Sequence, residues 1–165
     1  MEETVMADTD VALLKDRLDV ADSIYRYASC IDRRDMAGLR RILADDMWAK
    51  YGNSDPMTGG DTVRDWIDSA TKDTLWQHHL LSVYHTDIEG DHAKALVYHT
   101  SYQTFRDDPD TVRVLVARYH NELKRGSGVW QISRLVFEIL WGEKRTDSAG
   151  LLASVGGRGP LEIPG

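Results

Sequence analysis

Two side chains in this sequence have the chemistry of a proton-transfer pair: the carboxylate of Asp32, within Ile31-Asp32-Arg33-Arg34-Asp35, and the imidazole of His78, within Trp76-Gln77-His78-His79-Leu80. Imidazole titrates near neutrality, and a carboxylate within hydrogen-bond reach fixes its tautomer and makes it a better base. The residues are far apart in sequence, so the pair exists only if the fold brings a helix end to the start of a strand.

The elements that would do this are legible as periodicity. From Asp10 to Ile31, residues Leu13, Leu14, Leu18, Ala21, Ile24, Tyr25, Ala28 and Ile31 recur at spacings of three and four, which predicts an amphipathic helix ending at Asp32. Asp35 is a candidate N-cap for a short second helix from Met36 to Leu43, and Met47 to Tyr51 reads as a short strand. Gly52 to Gly60 is a loop by composition, and Asp61 or Thr62 can start a third helix running to Ala70. Beyond it the period becomes two. Leu75 to Ile88, Ala93 to Phe105, Val112 to Leu123 and Trp130 to Trp141 are predicted long strands joined by turn-forming sequences. Helices followed by a meander of strands indicate an α+β domain, not a βαβ alternation.

At 165 residues there is room for one core. The expected organisation is an N-terminal arm over 1–9, one domain over 10–145 and a flexible Gly-, Ser- and Pro-rich tail over 146–165. A net charge of −7 argues against nucleic acid or an anionic membrane as partner, since both select a concentrated basic patch. The single cysteine, Cys30, excludes an intrachain disulfide and fits a reducing compartment. No apolar run approaches the roughly 18 residues of a membrane span, and the acidic Met1-Glu2-Glu3-Thr4 is unlike a signal peptide, so a cytoplasmic placement is expected. No phosphate-binding glycine loop, G-x-S-x-G or H-E-x-x-H occurs, and the histidines are not joined to carboxylates at ligand spacing, so no metal is expected.

This layout, with Ser29-Cys30-Ile31-Asp32-Arg33-Arg34-Asp35, Gln77-His78, Ala117-Arg118-Tyr119-His120 and Trp141-Gly142-Glu143 punctuating it, resembles the SnoaL-like branch of the nuclear-transport-factor-like superfamily. Within that branch it looks most like the scytalone dehydratases. The resemblance implies a cone-shaped α+β barrel: three N-terminal helices packed in a strongly curved antiparallel sheet, with an apolar pocket open at one end. It implies a lyase (dehydratase) or isomerase that uses no cofactor and acts on a small, apolar cyclic or polyketide-like ketone. It also implies Asp32 and His78 as the catalytic pair. Adjacent strand residues face opposite sides, so a shift of one residue would put His79 inside instead.

Tyr51 matches a tyrosine that positions water against the substrate carbonyl, and a half-buried strand aromatic is its plain alternative. The second tyrosine of that arrangement would stand at Ile31; Tyr27, about one turn earlier, could supply a phenol or simply pack. Arg118 stands where the family has a substrate-contacting asparagine; it either turns inward toward a carbonyl-rich ligand or lies outward on its strand. His99 is the reserve pocket histidine, and one or two of the five tryptophans could line a pocket for a flat ring. Two other readings stay open. One is a non-catalytic binding or assembly subunit on the same fold. The other is a dehydrohalogenase, which the superfamily's arginine in the last strand would favour but Leu135 here does not. A homo-oligomer, dimer or trimer, is expected.

Overall fold

The computed structural model describes residues 8–146. Most of the expected N-terminal arm and nearly all of the expected tail lie outside the described residues. The chain runs α1 (Asp8–Asp32), α2 (Met36–Ile42), β1 (Leu43–Tyr51), β2 (Met57–Thr58), α3 (Gly60–Thr71), β3 (Thr74–Glu89), β4 (His92–Phe105), β5 (Asp108–Gly126) and β6 (Val129–Arg145). Three helices pack against one six-stranded, curved and unclosed sheet of order β2-β1-β6-β5-β4-β3.

The four long strands form the expected antiparallel meander, with turns at Gly90 and at Ser127-Gly128, where φ is positive. At the other edge the sheet is mixed: β1 joins β6 in parallel, and β2, inside the segment expected to be all loop, pairs antiparallel with β1. No hairpin connects β1 to β6, so nothing forces their antiparallel pairing. Register irregularities between Val83 and His85, Val116 and Ala117, and Glu122 and Leu123 interrupt the ladders. Such bulges bend a strand and increase its twist, and a sheet bent this way curls around the helices.

Only part of the predicted apolar face of α1 enters the core. Val20, Ile24, Tyr27 and Ile31 are buried in one cluster with Val97, Ala117, Tyr119, Leu123 and Ile132 of the sheet. Each large side chain so buried contributes about 1.5–3 kcal/mol. The hydroxyl of Ser23 also donates to the carbonyl of Trp130, pinning the helix to β6.

The end of α1 is fixed in three ways. Asp35 N–H bonds the carbonyl of Cys30 and Arg34 N–H that of Ile31, the paired bonds of a Schellman motif. Its left-handed position holds Arg34 (φ 56°) where glycine is usual, and the guanidinium is tied across to Asp68 and Thr71 of α3. The amide of Gln77 on β3 donates to the same Ile31 carbonyl at 2.6 Å. Asp35 then starts α2 by accepting from Gly38 N–H at 2.7 Å; a Cβ at Gly38 would come within 2.1 Å of that carboxylate. Asp32 thus stands at a helix terminus held by two other elements.

Candidate active site

A carboxylate at a helix C-terminus is disfavoured by the macrodipole unless something compensates. Arg34 does not do so, being engaged by Asp68, and the compensation comes from one residue of β3. Asp32 Oδ2 accepts the backbone N–H of His79 at 3.0 Å, and Oδ1 lies 2.5 Å from His79 Nδ1. Bonding both the main chain and the ring of one residue fixes the carboxylate and the imidazole together. With the Nδ1 proton directed at Asp32, Nε2 is left as the basic nitrogen.

The imidazole against Asp32 is therefore that of His79, not of His78, which is exposed on the opposite face of β3. The phase is set by Gln77, His79, Leu81 and Val83, all turned to the helices; Leu81 and Val83 pack against the core and Gln77 reaches Ile31. His78, Leu80, Ser82 and Tyr84 take the other face.

His79 lines a cavity of about 230 Å³ between α1, α3 and the inner face of the sheet, with Tyr27, Tyr51, Trp66, His99, Ser101 and Tyr119 among its other walls. At about 30 Å³ per water, this is the space of roughly eight waters, enough for one or two fused rings. The phenols of Tyr27 and Tyr51 are 2.7 Å apart, and Tyr51 stacks on Trp66 with centroids 4.4 Å apart. Burial raises the pKa of both phenols, so each remains a neutral donor. Trp66 is the one tryptophan in the wall.

His99 sits deep in the cavity, 2% exposed, with its ring 5.2 Å from that of His79 and edge-on to Tyr119 and Phe137 at 5.0 Å. Burial, and secondarily the neighbouring His79, push its pKa down to about 3, so it is uncharged at neutral pH. Neither of its nitrogens nor the hydroxyl of Ser101, two residues on and 1% exposed, has a hydrogen-bond partner among the described residues. Unpaired polar groups in an apolar cavity are costly, and these line the space a ligand would fill.

Arg118 is not in this cavity. Ala117 and Tyr119 hold the inward positions of β5, and Arg118 points outward, over Tyr98 and 3.8 Å from Glu138, which also contacts His120. The cavity wall contains no lysine or arginine among the described residues. Nor, among those residues, does any group of three or more His, Cys, Asp or Glu gather as metal ligands. The outer sides of Asp32 and Gln77 border a second groove of about 590 Å³ with Arg33, Arg34 and Arg106, but His79 is not in its wall. The imidazole of the pair therefore borders the smaller cavity and the carboxylate borders the groove.

The family model of the SnoaL-like domain matches residues 12–136. The chain belongs to the SnoaL-like family. An uncharacterised protein of Mycobacterium tuberculosis is 24% identical over 127 residues, covering 76% of this chain and 86% of that one. Among solved structures, a type 2 hexachlorocyclohexane dehydrochlorinase superposes with a TM-score of 0.78 at 17% identity, covering 93% of this chain and 99% of its own. A candidate scytalone dehydratase of Novosphingobium aromaticivorans does so at 0.75 and 15%, covering 84% and 95%. These likenesses establish the fold. No helix among the described residues of this SnoaL-like chain is long and apolar enough to cross a membrane.

Several cavity residues of the SnoaL-like chain escaped the sequence reading: Ser101, Gln103, Leu115, Tyr119, Phe137 and Ile139. Once His99 is placed inside, alternation along β4 nominates Ser101 and Gln103. Tyr119, flanked by charged Arg118 and basic His120, is the natural inward member of its segment.

Proposed function

We propose that this SnoaL-like protein is a lyase or isomerase that removes a proton α to the carbonyl of a small cyclic ketone, with His79 as the base and Asp32 as its partner. The observation that carries this reading is the double engagement of His79 by Asp32, which leaves Nε2 as the basic nitrogen of a residue in the wall of an aromatic cavity.

Nε2 takes the α-proton, and the C–H electron pair becomes the C=C bond of an enolate. The imidazolium that results is stabilised by the Asp32 carboxylate. The Tyr27–Tyr51 contact uses one phenol proton, so the other is free to donate to the developing oxyanion. In dehydration the enolate collapses, expelling a β-hydroxyl that takes the proton from Nε2 and leaves as water. In isomerisation the same proton returns to a different carbon. A leaving halide would find no lysine or arginine among the described residues of this wall, and Leu135, buried in the core, supplies none.

The test is solvent deuterium exchange at the α-carbon of a bicyclic ketone such as 2-tetralone, followed by NMR, because exchange reports enolate formation whatever step comes next. The wild-type protein should accelerate exchange, His79→Ala should abolish the acceleration and His78→Ala should preserve it. Equal losses in both variants would exclude His79 as the specific base.

A further inference from the structure

The helix that ends in Asp32 carries a second apolar stripe that the core does not use. Val11, Leu14, Leu18 and Tyr25 are 52%, 51%, 62% and 47% exposed, and Ala21 lies between them. Their spacing of three, four, three and four is a heptad pattern. At about 100° per residue, the row of Val11, Leu14, Leu18 and Tyr25 centres about 140° around the helix from the buried row of Val20, Ile24, Tyr27 and Ile31, so the stripe faces away from the sheet, with buried Ile24 and Ala28 at its border. A lone exposed leucine needs no explanation, but a continuous row along one helix marks an interaction surface.

The charges beside the row point to its occupant. With Val11, Leu18 and Tyr25 at one core position of the heptad and Leu14 and Ala21 at the other, Asp10 and Arg17 flank one side and Lys15 and Asp22 the other. In a parallel pair of such helices, a residue on the first flank faces the residue five positions on in the second helix. This sets Asp10 against Lys15 and Arg17 against Asp22, and two-fold symmetry repeats both, giving four pairs of opposite charge. Within the chain Lys15 bonds Asp19 and Arg26 bonds Asp22, but these contacts are solvent-exposed and exchange at little cost.

We propose that this stripe is the interface between two copies of the chain, α1 packing in parallel on α1 with the two sheets on opposite sides. The first heptad, Val11 and Leu14, has the β-branched-then-leucine order that favours two strands over three, and the second, Leu18 and Ala21, does not carry that signal. The row from Val11 to Tyr25 is about 21 Å long at 1.5 Å per residue. A contact of that length makes a concentration-dependent dimer, not a permanent one.

The experiment is sedimentation velocity on the full chain across a dilution series. Leu18→Glu should halve the mass of the wild-type particle, down to a multiple of the 18.7 kDa chain, and weaken association by at least about a hundredfold, because two leucines leave the interface together. Far-ultraviolet circular dichroism and the 2-tetralone exchange rate should not change, since Leu18 touches neither the core nor the cavity. Arg17→Asp should weaken association about threefold or more, and Arg17→Asp with Asp22→Arg should restore it. Val11→Cys should form a symmetric disulfide under mild oxidation, which parallel packing permits and antiparallel packing does not. A monomeric wild-type chain, an unchanged mass in Leu18→Glu, or a persistent dimer that fails to cross-link through Val11→Cys would each overturn the proposal.

Discussion

Replacing Asp32 by asparagine isolates what its charge contributes, because the two side chains have nearly the same shape. In the native arrangement Asp32 accepts from both the backbone and the ring of His79. Asparagine can keep one acceptor, but its amide presents a proton to the other partner. If that partner is Nδ1, the ring proton is driven to Nε2 and the basic nitrogen of the cavity is lost. If the ring keeps its tautomer, the imidazolium still loses a carboxylate whose charge centre is about 4 Å away. At an effective dielectric of about 20 that is worth about 4 kcal/mol, and partial exposure of Asp32 reduces it toward half. The expected loss in kcat/KM for α-proton exchange is therefore about 30- to 1,000-fold. Deuterium exchange of 2-tetralone under wild-type and Asp32→Asn catalysis at matched pH measures it, with urea unfolding to show that the variant is folded. A loss smaller than about tenfold would refute the claim that Asp32 stabilises the charge on His79.

Tyr51→Phe should lower kcat for exchange by about 10–100-fold with little change in KM, as expected for a donor that acts on the oxyanion; a change confined to KM would recast Tyr51 as a binding group. His99 makes stability depend on pH: its pKa is about 3 in the fold and near 6.5 unfolded, so the unfolded chain binds more protons between those limits. Its contribution is complete above about pH 6.5 and falls by about 1.4 kcal/mol per pH unit below it, and urea unfolding should show this slope reduced in His99→Phe. Ser101→Ala removes a buried hydroxyl that has no partner among the described residues, so it should raise stability by about 1 kcal/mol and the melting temperature by about 2–4 °C while weakening ligand binding; a lower melting temperature would mean that the hydroxyl is satisfied.

The elements were legible because each long segment keeps one period throughout: spacings of three and four across α1, alternation across β3 to β6. What the period leaves open is phase. In Gln77-His78-His79-Leu80-Leu81 three polar residues are followed by two apolar ones with no alternation, so neither face is distinguished locally. The phase appears two residues further on, where Ser82 and Val83 separate polar from apolar; counting back by two from Val83 puts His79, not His78, inside. The same count from Tyr119 turns Arg118 outward. On α1 the difficulty was of another kind, because two stripes, each of period three and four, overlap in sequence and read as one broad apolar face. Only packing separates Val20, Ile24, Tyr27 and Ile31 from Val11, Leu14, Leu18 and Tyr25.

The parallel edge and the end of α1 were illegible for a further reason: both depend on contacts between residues remote in sequence. Arg34 in a left-handed conformation is locally unfavourable, by about 1 kcal/mol or more for a residue with a Cβ, and nothing adjacent to it predicts the exception. The conformation persists because Asp68 and Thr71 hold the guanidinium from α3 while Gln77 holds the Ile31 carbonyl from β3. Those same two elements contribute Trp66 and His79 to the cavity. The strained turn that directs Asp32 toward His79 is thus maintained by the walls of the site itself, so a change that loosens α3 would disturb the Asp32–His79 contact without touching either residue.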